Sequence, residues 1–425
     1  MYNFIIFCYS CGVAIASLFN EKVRKMRRGE HEAVQTLKEK VDPQAQYVWF
    51  HAASLGEFEQ GRPLMERLRR DHPEYKILLT FFSPSGYEVR KNYEGADIVC
   101  YLPLDTVGNA RRFLRAVRPV MAFFIKYEFW YNYLHILKHR GVPVYSVSSI
   151  FRPNQVFFRW YGRQYGRVLK CFTRFFVQNE QSRELLGTLG IQNVDVVGDT
   201  RFDRVLQIKE AAKDLPVIEQ FISDNTSHST LHTPHIFVAG SSWPPDEEIF
   251  LRYFNGRHPE WKLIIAPHVI DEEHLQQIEK QLDGFHVERY TKLSIQGEKT
   301  PLSTRRGAGG EALIIDCFGL LSSIYRYATV CYVGGGFGVG IHNVVEAAVW
   351  GKPVFFGPNN QRFMEAQELK ECGGGIEITS YDDFANSMNQ LATDAQAVKT
   401  RGEAAAECVS RRFGATERIF SYLKL

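Results

Sequence analysis

Several things are scarce in this chain, and each absence closes a route. Charge of one sign is not in excess. The net charge is +3 over 425 residues, without the clustered basic face that a nucleic-acid binder carries, so no nucleic-acid partner is expected. Metal-ligand spacing is missing. The eight cysteines are scattered, Cys8-x-x-Cys11 is the only close pair, and no second pair completes a zinc set. No acidic pair of the Asp-x-Asp kind stands at a strand end, so neither a metal nor a cofactor is expected. A disulfide framework is out of place at this length, which points to reduced thiols and a cytosolic body. The two common nucleotide fingerprints are incomplete. A G-x-G-x-x-G read from Gly334 has Val339 at its third glycine, and Lys352 is followed by Pro353 where a P-loop needs Ser or Thr. No positive charge precedes the one long apolar run, as a signal peptide requires, although Ala14-Ile15-Ala16 mimics a cleavage site.

What is present is an ordinary globular composition, 45% hydrophobic and 23% charged, at a length suited to two or three domains. Tyr2–Phe19 is uncharged and mostly apolar, near the lower limit for crossing a bilayer. Lys22, Arg24, Lys25, Arg27 and Arg28 follow it, which suits anionic headgroups and keeps the body cytoplasmic. Residues 1–20 are therefore expected to be a membrane anchor, spanning or peripheral, with a buried N-terminal helix as the alternative.

Beyond it, apolar runs alternate with amphipathic stretches. The runs are Tyr47–Phe50, Ile77–Phe82, Ile98–Leu102, Met121–Ile125, Val142–Val147, Phe175–Val177 and Val194–Val197. The segment 214–234 is polar and reads as a linker. The alternation then restarts with Ile236–Ala239, Leu263–Ala266, Leu313–Ile315, Val330–Val333 and Val354–Phe356, with a polar loop at Gly297–Gly310. This predicts an α/β protein with two Rossmann-like, doubly wound domains facing a cleft, at 21–213 and 235–425. Ligands of such sheets bind beyond the carboxyl ends of the strands.

The polar residues just after the runs are the candidates. Gly334–Pro358 is the most informative stretch: glycines at a strand end admit a ligand to the backbone, and the following helix start offers N–H groups to an anion. His342-Asn343-Val344-Val345-Glu346 places Asn343 and Glu346 on one helix face, where Glu346 can accept from ribose hydroxyls. Ser54 is placed to cap a helix with Glu57 at its third position, a capping box; the same geometry suits Glu57 as a general base beside Gly56. Lys126 and Glu128 end another run beside Trp130, as a surface ion pair or as an acceptor site. Arg201, after Gly198, suits a carboxylate or phosphate, or solvent. Ser241 and Ser242 precede Trp243, Asp246 and Glu247; Pro267-His268 and Asp316-Cys317-Phe318-Gly319 end two further runs.

Together the blocks His51–Phe58, Glu128–Asn132, Gly198–Asp203, Gly240–Glu248, Pro267–His268, Asp316–Gly319 and Gly334–Pro358 resemble the Kdo transferase family. These enzymes move 3-deoxy-D-manno-octulosonic acid (Kdo) from CMP-Kdo onto a lipid A precursor. The resemblance implies the GT-B fold, inversion at the anomeric carbon, no metal, and work at the cytoplasmic face of the inner membrane. It implies Glu57 as catalytic base and Glu128, with Lys126 and Trp130, on the acceptor side. It implies donor contacts at Ser54, Gly56, Arg201, Ser241, Ser242, Pro267, His268, Asp316, Gly335, Asn343 and Glu346. Leu320 departs from the family's usual Glu, and Tyr131 from its usual Pro. A GT-B transferase using a UDP-sugar and another lipid or wall acceptor is the alternative.

Overall fold

The apolar runs become two seven-stranded sheets in a computed structural model that describes residues 2–425 except 213, 224–234, 256, 257, 259, 297–309, 339 and 424. Much of the expected 214–234 linker, nearly all of the expected Gly297–Gly310 loop, and Val339 thus lie outside the described residues. The first sheet comprises β1 (Gln46–Ala52), β2 (Tyr75–Phe81), β3 (Ile98–Tyr101), β4 (Met121–Ile125), β5 (Val144–Ser149), β6 (Arg174–Val177) and β7 (Val194–Val196). Its order is β3-β2-β1-β4-β5-β6-β7. The second comprises β8 (His235–Ser242), β9 (Trp261–Pro267), β10 (Phe285–Arg289), β11 (Gly310–Ile314), β12 (Val330–Val333), β13 (Val354–Phe356) and β14 (Gly375–Glu377). Its order is β10-β11-β9-β8-β12-β13-β14, and every pairing in both sheets is parallel.

Parallel strands covered on both faces need continuous apolar runs, not alternation. Accordingly β4 and β9 are buried along their whole length. The sequence runs missed β10 and β14. Both are sheet edges; β10 is half-exposed and β14 has three residues, so neither needs an apolar run. The chain direction across each sheet reverses between β1 and β4 and between β8 and β12. These reversals are the switch points at which doubly wound sheets bind ligands.

The chain forms two compact units, Met1–Arg204 with Phe413–Leu425, and Val205–Arg412. This differs from a second domain running to 425, because the last helix, Ala415–Phe420, completes the first unit. Ile419 is fully buried in that unit's core. The Asp203 carboxylate accepts the Gly414 and Thr416 N–H groups at 2.7 and 2.6 Å, and Arg418 donates to the Val197 carbonyl. Part of the expected linker is a helix, Pro216–Ser223, which buries Ile218 and Phe221 in the second unit.

Helix α1 (Tyr2–Phe19) is long and apolar enough to cross a membrane, by length and composition, and only 6% of it is buried. Tyr2 nevertheless donates to Asp105 at 2.6 Å, and Asn132 donates to the Asn3 side chain. Helix α2 (Glu21–Lys40), capped by Asn20, buries Met26, Ala33 and Leu37. Arg24 donates to the Ser17 and Leu18 carbonyls, closing the end of α1.

Candidate active site

At the first switch point, His51 is the penultimate residue of β1 and β4 is followed by Lys126-Tyr127-Glu128. His51 is fully buried. Its Nε2 lies 3.0 Å from Glu128 Oε2 and its Nδ1 2.9 Å from Thr80 Oγ1. Thr80 accepts from Trp49 Nε1 at 2.8 Å, and Trp130 Nε1 donates to the same Glu128 oxygen at 2.6 Å. His51 Nε2–H donates to the carboxylate, and Nδ1 and the Thr80 hydroxyl share a hydrogen bond whose direction follows the ring's tautomer. Glu128 is thus aimed by a His and a Trp, each locked in place. Lys126 has φ +65°, an unusual conformation for a side-chain-bearing residue, and it turns the chain sharply at the strand end.

Ser54 and Glu57 form the expected capping box at the start of helix α3 (Leu55–Asp71), with the Ser54 N–H donating to Glu57 Oε2 at 3.0 Å. Burial, and then the negative charge of Glu128, hold the Glu57 carboxyl above the ordinary range; His51 and the Ala53 and Ser54 N–H groups only partly oppose this. Gly56 is exposed, with open space around it. Arg201 donates through Nε to Asp199 Oδ2 at 2.8 Å, and Gln60 of α3 donates to Asp199 Oδ1. Asp199 is fully buried, which alone would raise its pKa, yet Arg201 holds it below the usual value. Arg201 is therefore committed to this latch between α3 and the end of β7.

At the second switch point the expected blocks converge, but several of their polar groups are already used. Ser242 is fully buried and donates to Glu247 at 2.7 Å, and Glu247 in turn meets His274 at 2.8 Å. The Gly335 N–H donates to the buried Asp246, which also accepts from Tyr332 and the Trp243 N–H. Asp316 accepts from Thr291 N–H and Oγ1, at the start of helix Tyr290–Gln296. The glycines answer to the protein's own backbone. A Cβ on Gly334 would lie 2.3 Å from the Ser241 carbonyl, and one on Gly336 2.5 Å from the Gly357 nitrogen. The helix expected to present an anion site is the single turn Val345–Ala348. Asn343 donates to Glu346 Oε1 and Ser322 to Oε2; the pair meets, but Asn343 precedes the helix and does not share a face of it.

What the blocks do assemble is an aromatic cluster. His268, whose N–H donates to the Ser242 carbonyl, stacks on Trp243 at 4.8 Å and on His342 at 4.3 Å. Trp243 Nε1 donates to His342 Nε2 at 3.2 Å, leaving the ring proton of His342 on Nδ1. Burial and His268 push His342 down to about 4, so it is a neutral donor. Ser241, at φ +52°, and Pro267 frame the cluster at a register shift between β8 and β9. Sequence reasoning gave no role to His51, Thr80, Trp243 or His342. For His342 the signal was available, since it adjoins Asn343, and His51 opens the block that holds Ser54 and Glu57.

Two successive doubly wound parallel sheets are the GT-B architecture. A UDP-GlcNAc 2-epimerase from Neisseria meningitidis, solved with UDP-GlcNAc, is similar in backbone, with a TM-score of 0.60 at 15% identity over 88% of this chain and 99% of that one. At that identity the likeness concerns the fold alone. The sequence relatives are narrower. A family model described as 3-deoxy-D-manno-octulosonic-acid transferase (kdotransferase) matches residues 24–204. A 3-deoxy-D-manno-octulosonic acid transferase of Aquifex aeolicus is 26% identical over 83% of this chain and 88% of its own length. The same enzyme of Haemophilus influenzae is 24% identical over 90% and 87%. Over most of its length the chain is thus similar in sequence to Kdo transferases.

Proposed function

We propose that this protein is a glycosyltransferase that moves Kdo from CMP-Kdo to a lipid A precursor in lipopolysaccharide synthesis, with inversion at the anomeric carbon. The observation that carries the reading is Glu57: a carboxylate at a switch point, inside the segment matched by the Kdo transferase model, held above its usual pKa by burial and by Glu128. Such a group is a stronger proton acceptor than an ordinary carboxylate. Glu57 takes the proton of an acceptor sugar hydroxyl, the oxygen attacks the anomeric carbon of Kdo, and the bond to the CMP phosphate breaks on the opposite side. His51 and Trp130 keep Glu128 fixed beside it. In the second unit, Asn343 and Glu346 serve the ribose, while His342 Nδ1–H and the His268 ring serve the phosphate and base of CMP.

The same reading places α1 in the membrane surface and not across it. Tyr2 is bonded to Asp105 and α2 is packed into the first unit, so both ends of α1 lead back to the protein. Crossing with α1 would force α2 to cross back, carrying Lys22, Arg24, Lys25, Arg27 and Arg28. Each costs ~2.5–3.5 kcal/mol at the bilayer centre. Lying flat buries the exposed Phe4, Phe7, Ile15 and Phe19 and leaves the cations among headgroups.

The test is purified protein with CMP-Kdo and a lipid A precursor, read by product mass, with CMP and UDP as competing inhibitors. A Kdo adduct and inhibition by CMP support the reading. No adduct, with UDP and not CMP bound by calorimetry, returns the chain to the UDP-sugar transferases.

A further inference from the structure

Two of the second unit's four cysteines line one cavity away from this chemistry. Cys372 closes the helix Met364–Glu371 and is exposed; Cys408 lies in the last turn of the helix Ala395–Ser410. Both line a cavity of about 500 Å³, together with Ala404, Arg411 and Arg412. The Cys372 thiol lies 3.3 Å from the Leu369 carbonyl and 3.5 Å from that of Ala404, one turn before Cys408. Burial, and then the neighbouring sulfur, push Cys408 up to about 12, so it is a weak nucleophile until its partner is activated. The framework is already held in place. Arg412 bonds Glu368 across the two helices, and Arg401 donates to the Gly373 carbonyl at 2.9 Å.

We propose that Cys372 and Cys408 form an oxidant-responsive dithiol that closes to an intramolecular disulfide. With hydrogen peroxide as oxidant, the Cys372 sulfur attacks one peroxide oxygen, giving a sulfenic acid and one water. The Cys408 sulfur then displaces the hydroxyl from Cys372, and its own proton leaves with that hydroxyl as a second water. Two thiols lose two hydrogens and peroxide becomes two waters; a thiol reductant reverses the bond. The clip joins the end of one helix to another that supports the glycine segment, since Gly402 packs against the Gly351 carbonyl so closely that a Cβ would sit 2.2 Å from it.

The experiment treats the full chain with hydrogen peroxide, digests it with trypsin under alkylation, and maps the products by mass. Trypsin separates the two cysteines at Lys399 and Arg401. The expected product is the 371–399 peptide joined to 402–411, lighter than their sum by two hydrogens and released by dithiothreitol. The oxidised chain should melt about 5–10 °C higher, as a clip of this loop length implies. Cys408→Ser should instead leave Cys372 as a sulfenic acid that dimedone traps, which a folding defect would not produce. A wild-type chain in which Cys372 runs on to sulfinic acid, stays reduced, or pairs with Cys8, Cys11 or a second molecule overturns the proposal.

Discussion

Glu57 illustrates how one residue satisfies two readings. It is a helix cap by its bond to the Ser54 N–H and a poised base by its burial. Replacing it with Gln keeps an acceptor for the cap, so Glu57→Gln should fold and bind CMP while losing roughly 10²–10⁴ in kcat. The pH profile follows from the sign of the shift. A base must be ionised, so activity falls as pH drops through the raised pKa of Glu57. The charge of Glu128 helps to raise that pKa; removing it in Glu128→Gln should move the acid limb of kcat/KM to lower pH. A limb that stays or moves upward separates Glu57 from that limb. His342 gives the opposite case. With its pKa pushed down to about 4 it is neutral throughout the physiological range, so from pH 8 to 6 CMP affinity should change only with the second ionisation of the CMP phosphate, at about 6, and His342→Ala should not alter that dependence. His342→Ala should weaken CMP binding about 5–10-fold, the worth of one neutral hydrogen bond. Calorimetry reads both. At this scale the sequence named blocks at strand ends but could not show which of their atoms are free. Ser242, Gly335 and Asp316 lie where expected, yet Glu247, Asp246 and Thr291 take their polar groups. A partner that comes from elsewhere in the chain leaves no mark in local spacing.

Among the elements, α1 is defined by what its two ends do. If it lies in the membrane surface, Phe4→Ser, Ile15→Ser and Phe19→Ser should each lower binding to anionic vesicles about tenfold or more, since a buried aromatic or aliphatic side chain contributes ~1.5–3 kcal/mol. Flotation on a density gradient measures this. High salt should also release the wild-type chain from vesicles, which a spanning helix would resist. A second element prediction concerns the last helix. Asp203 satisfies two N–H groups at its start, and Asp203→Ala should cost about 1–3 kcal/mol in urea unfolding by leaving them without an acceptor. The central strands were legible because a strand buried on both faces is an apolar run whatever surrounds it. The edges β10 and β14 were not, because an edge half in solvent carries no such run. The anion-ready helix after Gly334 was overestimated for a related reason: its pattern cannot distinguish one turn from three.

For the whole molecule, the decisive fact is that the first unit is discontinuous and the second is not. A 205–412 fragment should therefore fold alone and bind CMP by calorimetry. A 1–204 fragment should be poorly soluble until a peptide of residues 413–425 is supplied, because Ile419 fills its core. Two alternating halves were plain from the runs, but the return of the tail was not. Thirteen residues of mixed polarity look alike on either unit, and only the packing of Ile419 and the bonds of Asp203 decide. That return has a consequence for how the protein is made. At translation speeds of roughly 5–20 residues per second, the about two hundred residues of the second unit delay the closing helix by roughly 10–40 s. Until that helix is made, the first unit, which bears Glu57 and the apolar α1, has an unfilled core, and a nascent chain in that state is what chaperones and the membrane first meet.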